Sequence, residues 1–255
     1  MNVCLIQQDI VWGGVRGNLE HLDSWLGSVP DAGLYLFPEM FTTGFATTPG
    51  AAVEQEPSAG LEWMKAFAAK RGAAVCGSIA LRPGGSAKCV NRMYFVTPDG
   101  RAAVYDKHHL FGYGGEELRF EAGDRRVVVE YGGVRFLLAV CYDLRFPVWL
   151  RNRGDYDVML LVASWPRQRR NAWDVLARAR AIENQCYVLA VNRVGSDPSC
   201  SYDGGTVVLD PLGEAVASVA DGEEGWCCAE LDLEKLRELR NSFPVLLDSD
   251  SFELR

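Results

Sequence analysis

The chain has 255 residues, 48% apolar and 24% charged, the balance of a water-soluble globular protein long enough for one substantial core. A formal charge of −8, with no basic tract interleaved with aromatics, argues against nucleic acid and anionic membrane as partners, and the one basic knot, Arg167, Arg169 and Arg170, reads as a solvated loop. No apolar run approaches the ~18 residues of a membrane span, and the opening MNVCLIQQDI lacks the pattern of a signal peptide, so a cytoplasmic protein is expected.

In chain order, Asn2 to Gln7 reads as a strand and Asn18 to Leu26 as a helix with Leu19, Leu22 and Leu26 on one face. Leu34 to Phe37 is a short buried strand stopped by Pro38. Leu61 to Lys70 is a helix, with Ser58 as its N-cap and Gly72 as its stop. Strands follow at Ala73 to Leu81, Asn91 to Val96 and Ala102 to Asp106, the last two joined by the turn Thr97-Pro98-Asp99-Gly100. Val134 to Val140 and Val158 to Ala163 are continuous apolar strands. Asn171 to Gln185 is the clearest helix, with Ala172, Val175, Leu176, Ala179 and Ile182 along one stripe. Cys186 to Asn192, Gly205 to Leu209, Glu214 to Val219 and Trp226 to Leu231 are strands, and Asp232 to Arg240 is a closing helix. Nothing reads as a linker or repeat, so one α/β domain over residues 1–255 is expected, with sheets layered under helices.

The eight cysteines show no C-x-x-C spacing, which argues against structural zinc, and several lie in apolar runs as small buried hydrophobes. All are expected as free thiols. With three histidines and no His–carboxylate cluster, a catalytic metal is not expected. No Gly-rich phosphate loop is present, so no cofactor is implied.

Three strand ends carry candidate chemistry, since ligands in α/β folds bind beyond the carboxyl ends of strands. Cys141 ends VRFLLAV and leads into a polar segment, where a helix start would favour its thiolate. Glu39 follows Leu-Tyr-Leu-Phe-Pro, where partial burial would suit a general base. Lys107 ends a hairpin strand, where a fixed cation could stabilise an oxyanion. Glu116 and Glu117, in the loop GYGGEELRFEAGD, are rival further carboxylates that spacing does not separate. The His108-His109 pair leaves a Cys–His dyad open as an alternative.

Together, Phe37-Pro38-Glu39-Met40, Tyr105-Asp106-Lys107-His108-His109-Leu110-Phe111 and Cys141-Tyr142-Asp143-Leu144-Arg145-Phe146-Pro147 resemble the nitrilase superfamily of carbon–nitrogen hydrolases over essentially the full length. The resemblance implies a four-layer α-β-β-α sandwich that pairs into a homodimer or larger symmetric oligomer. It makes Glu39 the general base and acid, Lys107 the oxyanion stabiliser and Cys141 the nucleophile. The frame of Phe120 and Gly123-Asp124 selects Glu116 as the family's second glutamate. Glu39 to Phe45, Ala163-Ser164-Trp165-Pro166, Ala179 to Gln185 and Val191 to Gly195 are similar to the omega-amidase branch. That branch implies a small amide substrate carrying a 2-oxo acid, 2-oxoglutaramate or 2-oxosuccinamate, hydrolysed through a cysteine thioester. Another small-amide or carbamoyl hydrolase, or a silent binding relative, is the alternative. For such a substrate, Tyr142 is expected to offer its backbone N–H and Trp165 an apolar wall. Arg145 or Arg167 would hold the anionic end. Tyr202-Asp203-Gly204-Gly205-Thr206 departs from the Tyr-Gly-Asp-Ser order of many relatives.

Overall fold

The apolar runs become two stacked sheets. A computed structural model of the chain describes residues 1–48 and 50–253. The first half contains β1 (Asn2–Gln7), α1 (Val15–Trp25), β2 (Leu34–Leu36), β3 (Glu54–Gln55), α2 (Ala59–Arg71), β4 (Ala74–Arg82), β5 (Val90–Val96) and β6 (Ala102–Asp106). The second half contains β7 (Val128–Tyr131), β8 (Val134–Val140), α3 (Pro147–Leu150), β9 (Val158–Val162), α4 (Arg170–Asn184) and β10 (Tyr187–Val191). The chain then adds β11 (Val194–Ser196), β12 (Ser201–Asp203), β13 (Val207–Leu209), β14 (Ala215–Ser218), β15 (Gly225–Glu230) and α5 (Leu233–Ser242).

One sheet runs β15-β1-β2-β4-β5-β6, with β3 paired to β4; the other runs β14-β13-β10-β9-β8-β7. Alternation along β1 shows how the layers are divided. Val3 and Leu5 face inward against second-sheet residues such as Phe136 and Leu138. Cys4 and Ile6 face outward against Leu22 of α1 and Met64, Phe67 and Ala68 of α2. On the far side, Trp173, Ala177 and Ala181 of α4 cover the second sheet. The result is the expected α-β-β-α sandwich.

Local chemistry fixes the helix ends. Ser58 Oγ accepts from Leu61 N at 3.1 Å, and Gly72, at φ 61°, ends α2 in the left-handed conformation that lacks a Cβ penalty. Two sequence expectations fail here. The stripe chosen for α4 includes Val175 and Ile182, which are exposed. The buried face instead carries Trp173, Ala177, Arg180, Ala181 and Asn184. It is partly polar because Arg180 Nε and Nη2 donate to Leu144 O at 3.1 and 2.6 Å, while Asn184 Oδ1 accepts from Asn152 N. The thiols are also not all free: Cys4 and Cys228 form a disulfide across a directly opposed pair of β1 and β15. A sequence separation of 224 residues hides that neighbourhood from any local reading.

Candidate active site

Strand register sets where the chain leaves the sheets. Val140, Val162 and Val191 lie side by side at the ends of β8, β9 and β10, so Cys141, Ala163 and Asn192 follow at one edge. In the other sheet Arg92 pairs with Asp106, which puts Lys107 level with Asn91; Lys107 N donates to Asn91 O at 2.9 Å. Glu39 lies three residues beyond Leu36, the end of β2.

These ends converge on a buried charge cluster. Lys107, Glu39 and Glu116 have no solvent exposure at all. Lys107 Nζ donates to Glu39 Oε1 at 3.0 Å and to Glu116 Oε2 at 2.8 Å. Glu39 Oε1 also accepts from Asn91 Nδ2 at 2.7 Å, and its Oε2 accepts from Ser164 N at 2.8 Å, tying the two sheets together. Glu116 Oε2 accepts from Phe111 N at 2.6 Å. Glu117 is exposed, so only Glu116 joins the cluster. Asn91 is not a candidate on sequence, and Ser164 enters there only as part of Ala163-Ser164-Trp165-Pro166 without a role of its own; one strand asparagine and one loop serine carry no local signal of what they face.

Two carboxylates around one ammonium explain the direction of each shift. Burial alone would lower Lys107, but Glu116, Glu39 and Cys141 hold it above its ordinary value. Burial raises Glu116, with Lys107 opposing and Glu39 reinforcing. Cys141, 8% exposed, is pushed well above its ordinary value by burial, then by Glu39, with Lys107 opposing. Burial therefore opposes the thiolate that a helix start would favour.

Cys141 is held at φ 47° and Met40, beside Glu39, also at φ 47°. Non-glycine residues in this region cost ~1–3 kcal/mol and persist where surroundings impose them. Around Cys141 the imposing group is Asp143. Its Oδ2 accepts from Val140 N at 2.9 Å and from Tyr105 Oη at 2.7 Å, and its Oδ1 accepts from His109 N at 3.0 Å. Arg180 holds Leu144 from the other side. The histidines are occupied elsewhere. His109 Nδ1 bonds Asp143 Oδ1 at 2.8 Å, His108 Nδ1 bonds Gly123 O at 2.6 Å, and their rings stack on Phe146 and Trp149. Neither lines the cavity over Cys141, so the structure does not assemble a Cys–His dyad.

That cavity, about 50 Å³, has walls from Phe45, Phe111, Tyr142, Trp165, Pro166 and Tyr202 and two cations, Arg145 and Arg169. Trp165 is fixed from both ends: its N donates to Asn192 Oδ1 and its Nε1 to Arg169 O, both at 2.8 Å. Of the two arginines singled out from sequence, Arg145 lines the cavity and Arg167 does not. The Arg167 side chain is 72% exposed and reaches toward Asp203 at 3.9 Å. The single 3₁₀ turn Arg167–Arg169 directs Arg169 inward instead. The Gly204-Gly205 departure has a steric account: both have positive φ, and a Cβ would collide with the Gln7 amide at Gly204 and the Arg170 guanidinium at Gly205.

An α-β-β-α sandwich with a cysteine poised above a buried Glu–Lys–Glu cluster is the arrangement of enzymes that open carbon–nitrogen bonds. The chain belongs to the carbon-nitrogen hydrolase family, whose model matches residues 2–241. It is similar to omega-amidase YafV of Yersinia enterocolitica, 44% identical over 100% of this chain and 98% of the relative. It is also similar to 2-oxoglutaramate amidase of Bacillus subtilis, 35% identical with 96% of each chain covered. The solved structure of XC1258 from Xanthomonas campestris, a CN-hydrolase superfamily protein with an arsenic adduct in the active site, matches with a TM-score of 0.94. It is 40% identical, with 100% of this chain and 99% of that one covered.

Proposed function

We propose that the protein hydrolyses the terminal carboxamide of a small omega-amido 2-oxo acid, 2-oxoglutaramate or 2-oxosuccinamate, to the acid and ammonia. The observation that carries this reading is the cluster of Lys107, Glu39 and Glu116 beneath Cys141 in a small apolar cavity with cationic walls. The two named amidase relatives support the choice of substrate.

In the proposed reaction, Cys141 Sγ attacks the amide carbon while its proton passes to Glu39. A thiol that burial holds above its ordinary value suits this order, in which the proton leaves as the new bond forms. The oxyanion is stabilised by Lys107 and the Tyr142 backbone N–H. Collapse breaks the C–N bond, Glu39 returns the proton to nitrogen, and ammonia leaves a thioester on Cys141. Water, deprotonated by Glu39, adds to the thioester, and collapse releases the acid and restores the thiol. Glu116 helps hold Lys107 in place through its hydrogen bond at 2.8 Å. Trp165 packs against the methylene chain, and Arg145 faces the anionic end. We also propose that the chain works as a homodimer, supported by the exposed apolar Val175 and Ile182 on the outer layer.

An ammonia-release assay tests the substrate. The kcat/KM for 2-oxoglutaramate is expected to exceed that for pentanamide, a neutral amide of equal chain length, by at least about tenfold, or roughly 1.4 kcal/mol. Equal values would remove the omega-amide assignment while leaving the cysteine chemistry standing.

A further inference from the structure

Arg169 has no place in the chemistry described so far, yet it lines the same cavity as Cys141. Its guanidinium lies over the Phe111 ring at 5.1 Å, and the Arg145 guanidinium lies over the Trp165 ring at 4.9 Å. Each cation is held by the negative face of its ring, and among the described residues neither guanidinium donates a hydrogen bond to the protein, so both keep N–H groups that can fork onto a carboxylate.

The surroundings leave those edges without a protein anion. Among the described residues no Asp or Glu lines the cavity and neither arginine forms a salt bridge. The neighbours Arg167 and Arg170 behave differently: Arg167 reaches Asp203, and Arg170 reaches Asp174, Asp203 and Asp221. In a chain of net charge −8, two ring-supported and uncompensated cations in one small cavity are an arrangement that an anionic ligand completes.

We propose that Arg169 is a specificity-determining residue, the second arm of a two-arginine clamp with Arg145 that closes on the carboxylate of the substrate. The proposal rests on the 2-oxo acid amide reading above. Its platform also joins it to the cluster: Phe111, under Arg169, donates its backbone N–H to Glu116 Oε2. The Arg169 arm and the Lys107 site are thus both tied to the segment around Phe111.

The test measures kcat and KM for 2-oxoglutaramate and pentanamide in wild type, Arg169→Met and Arg169→Lys. Met retains an apolar contact on Phe111 and removes the charge; Lys retains charge without the fork. The ratio of the two kcat/KM values is expected to fall at least tenfold in Arg169→Met, chiefly through a raised KM for the acid-bearing amide, with partial recovery in Arg169→Lys. A ratio within twofold of wild type in Arg169→Met, or both amides losing activity by the same factor, would overturn the clamp alone. A wild type that shows no preference would overturn the substrate reading and the clamp with it.

Discussion

Replacing Lys107 with Met isolates the electrostatic logic of the site. The substitution keeps a long side chain and deletes the cation that pairs with both Glu39 and Glu116, both without solvent exposure. Breaking a buried ion pair by removing one partner costs about 3–5 kcal/mol, because the remaining charge is uncompensated. Here two carboxylates remain, and the pair relieves itself by binding one proton, titrating as a unit. Burial already raises Glu116 in the wild type, and loss of its ammonium raises it further. The folded variant therefore holds a proton that the unfolded chain releases near the ordinary glutamate value of about 4.3. A raised folded pKa favours the fold at low pH, and that advantage is lost as pH rises toward the folded value, by up to about 1.4 kcal/mol per pH unit. Urea unfolding of wild type and Lys107→Met at pH 5.5 and pH 8 reads this directly. The stability gap is expected to be about 1–3 kcal/mol smaller at pH 5.5. Turnover at pH 8 is expected to fall about 10²- to 10³-fold, the usual cost of losing one oxyanion donor. A gap that is the same at both pH values would refute the claim that both carboxylates depend on Lys107.

Asn91→Leu removes the Nδ2 donor to Glu39 at 2.7 Å while keeping the side-chain volume. Loss of one charge-assisted hydrogen bond is worth about 1.5–3 kcal/mol, so kcat/KM is expected to drop about 10- to 150-fold in the ammonia assay with the fold retained by circular dichroism. Light scattering at micromolar concentration is expected to give at least twice the 28.2 kDa chain mass, as a homodimer or larger symmetric oligomer requires; a monomer would contradict it.

Much of the positioning was legible in sequence because it depends on strand ends. The apolar runs of β8 and β6 stop where the structure stops them, at Val140 and Asp106, and so place Cys141 and Lys107. Glu39 is legible because Pro38 ends the preceding run. What failed involves partners distant in sequence or polar groups that are buried because they are satisfied. The face of α4 was misread because periodicity weighs apolar residues only, whereas Arg180 and Asn184 are buried through hydrogen bonds to Leu144, Asn152 and their own helix. Arg169 differs from Arg167 only by its place on one tight turn, which no pattern of residue types reports. Short pieces such as β7 and the β11–β12 hairpin carry too few residues for a period to show.

The central claim is that Cys141 forms the covalent intermediate. Acid-quenching the enzyme during turnover of 2-oxoglutaramate, followed by intact-protein and peptide mass spectrometry, tests it most directly. The account predicts an acyl adduct on the peptide containing Cys141, with one ammonia released per adduct in the first turnover, and neither adduct nor turnover in Cys141→Ala. An adduct on any other residue, or sustained ammonia release by Cys141→Ala, would contradict it.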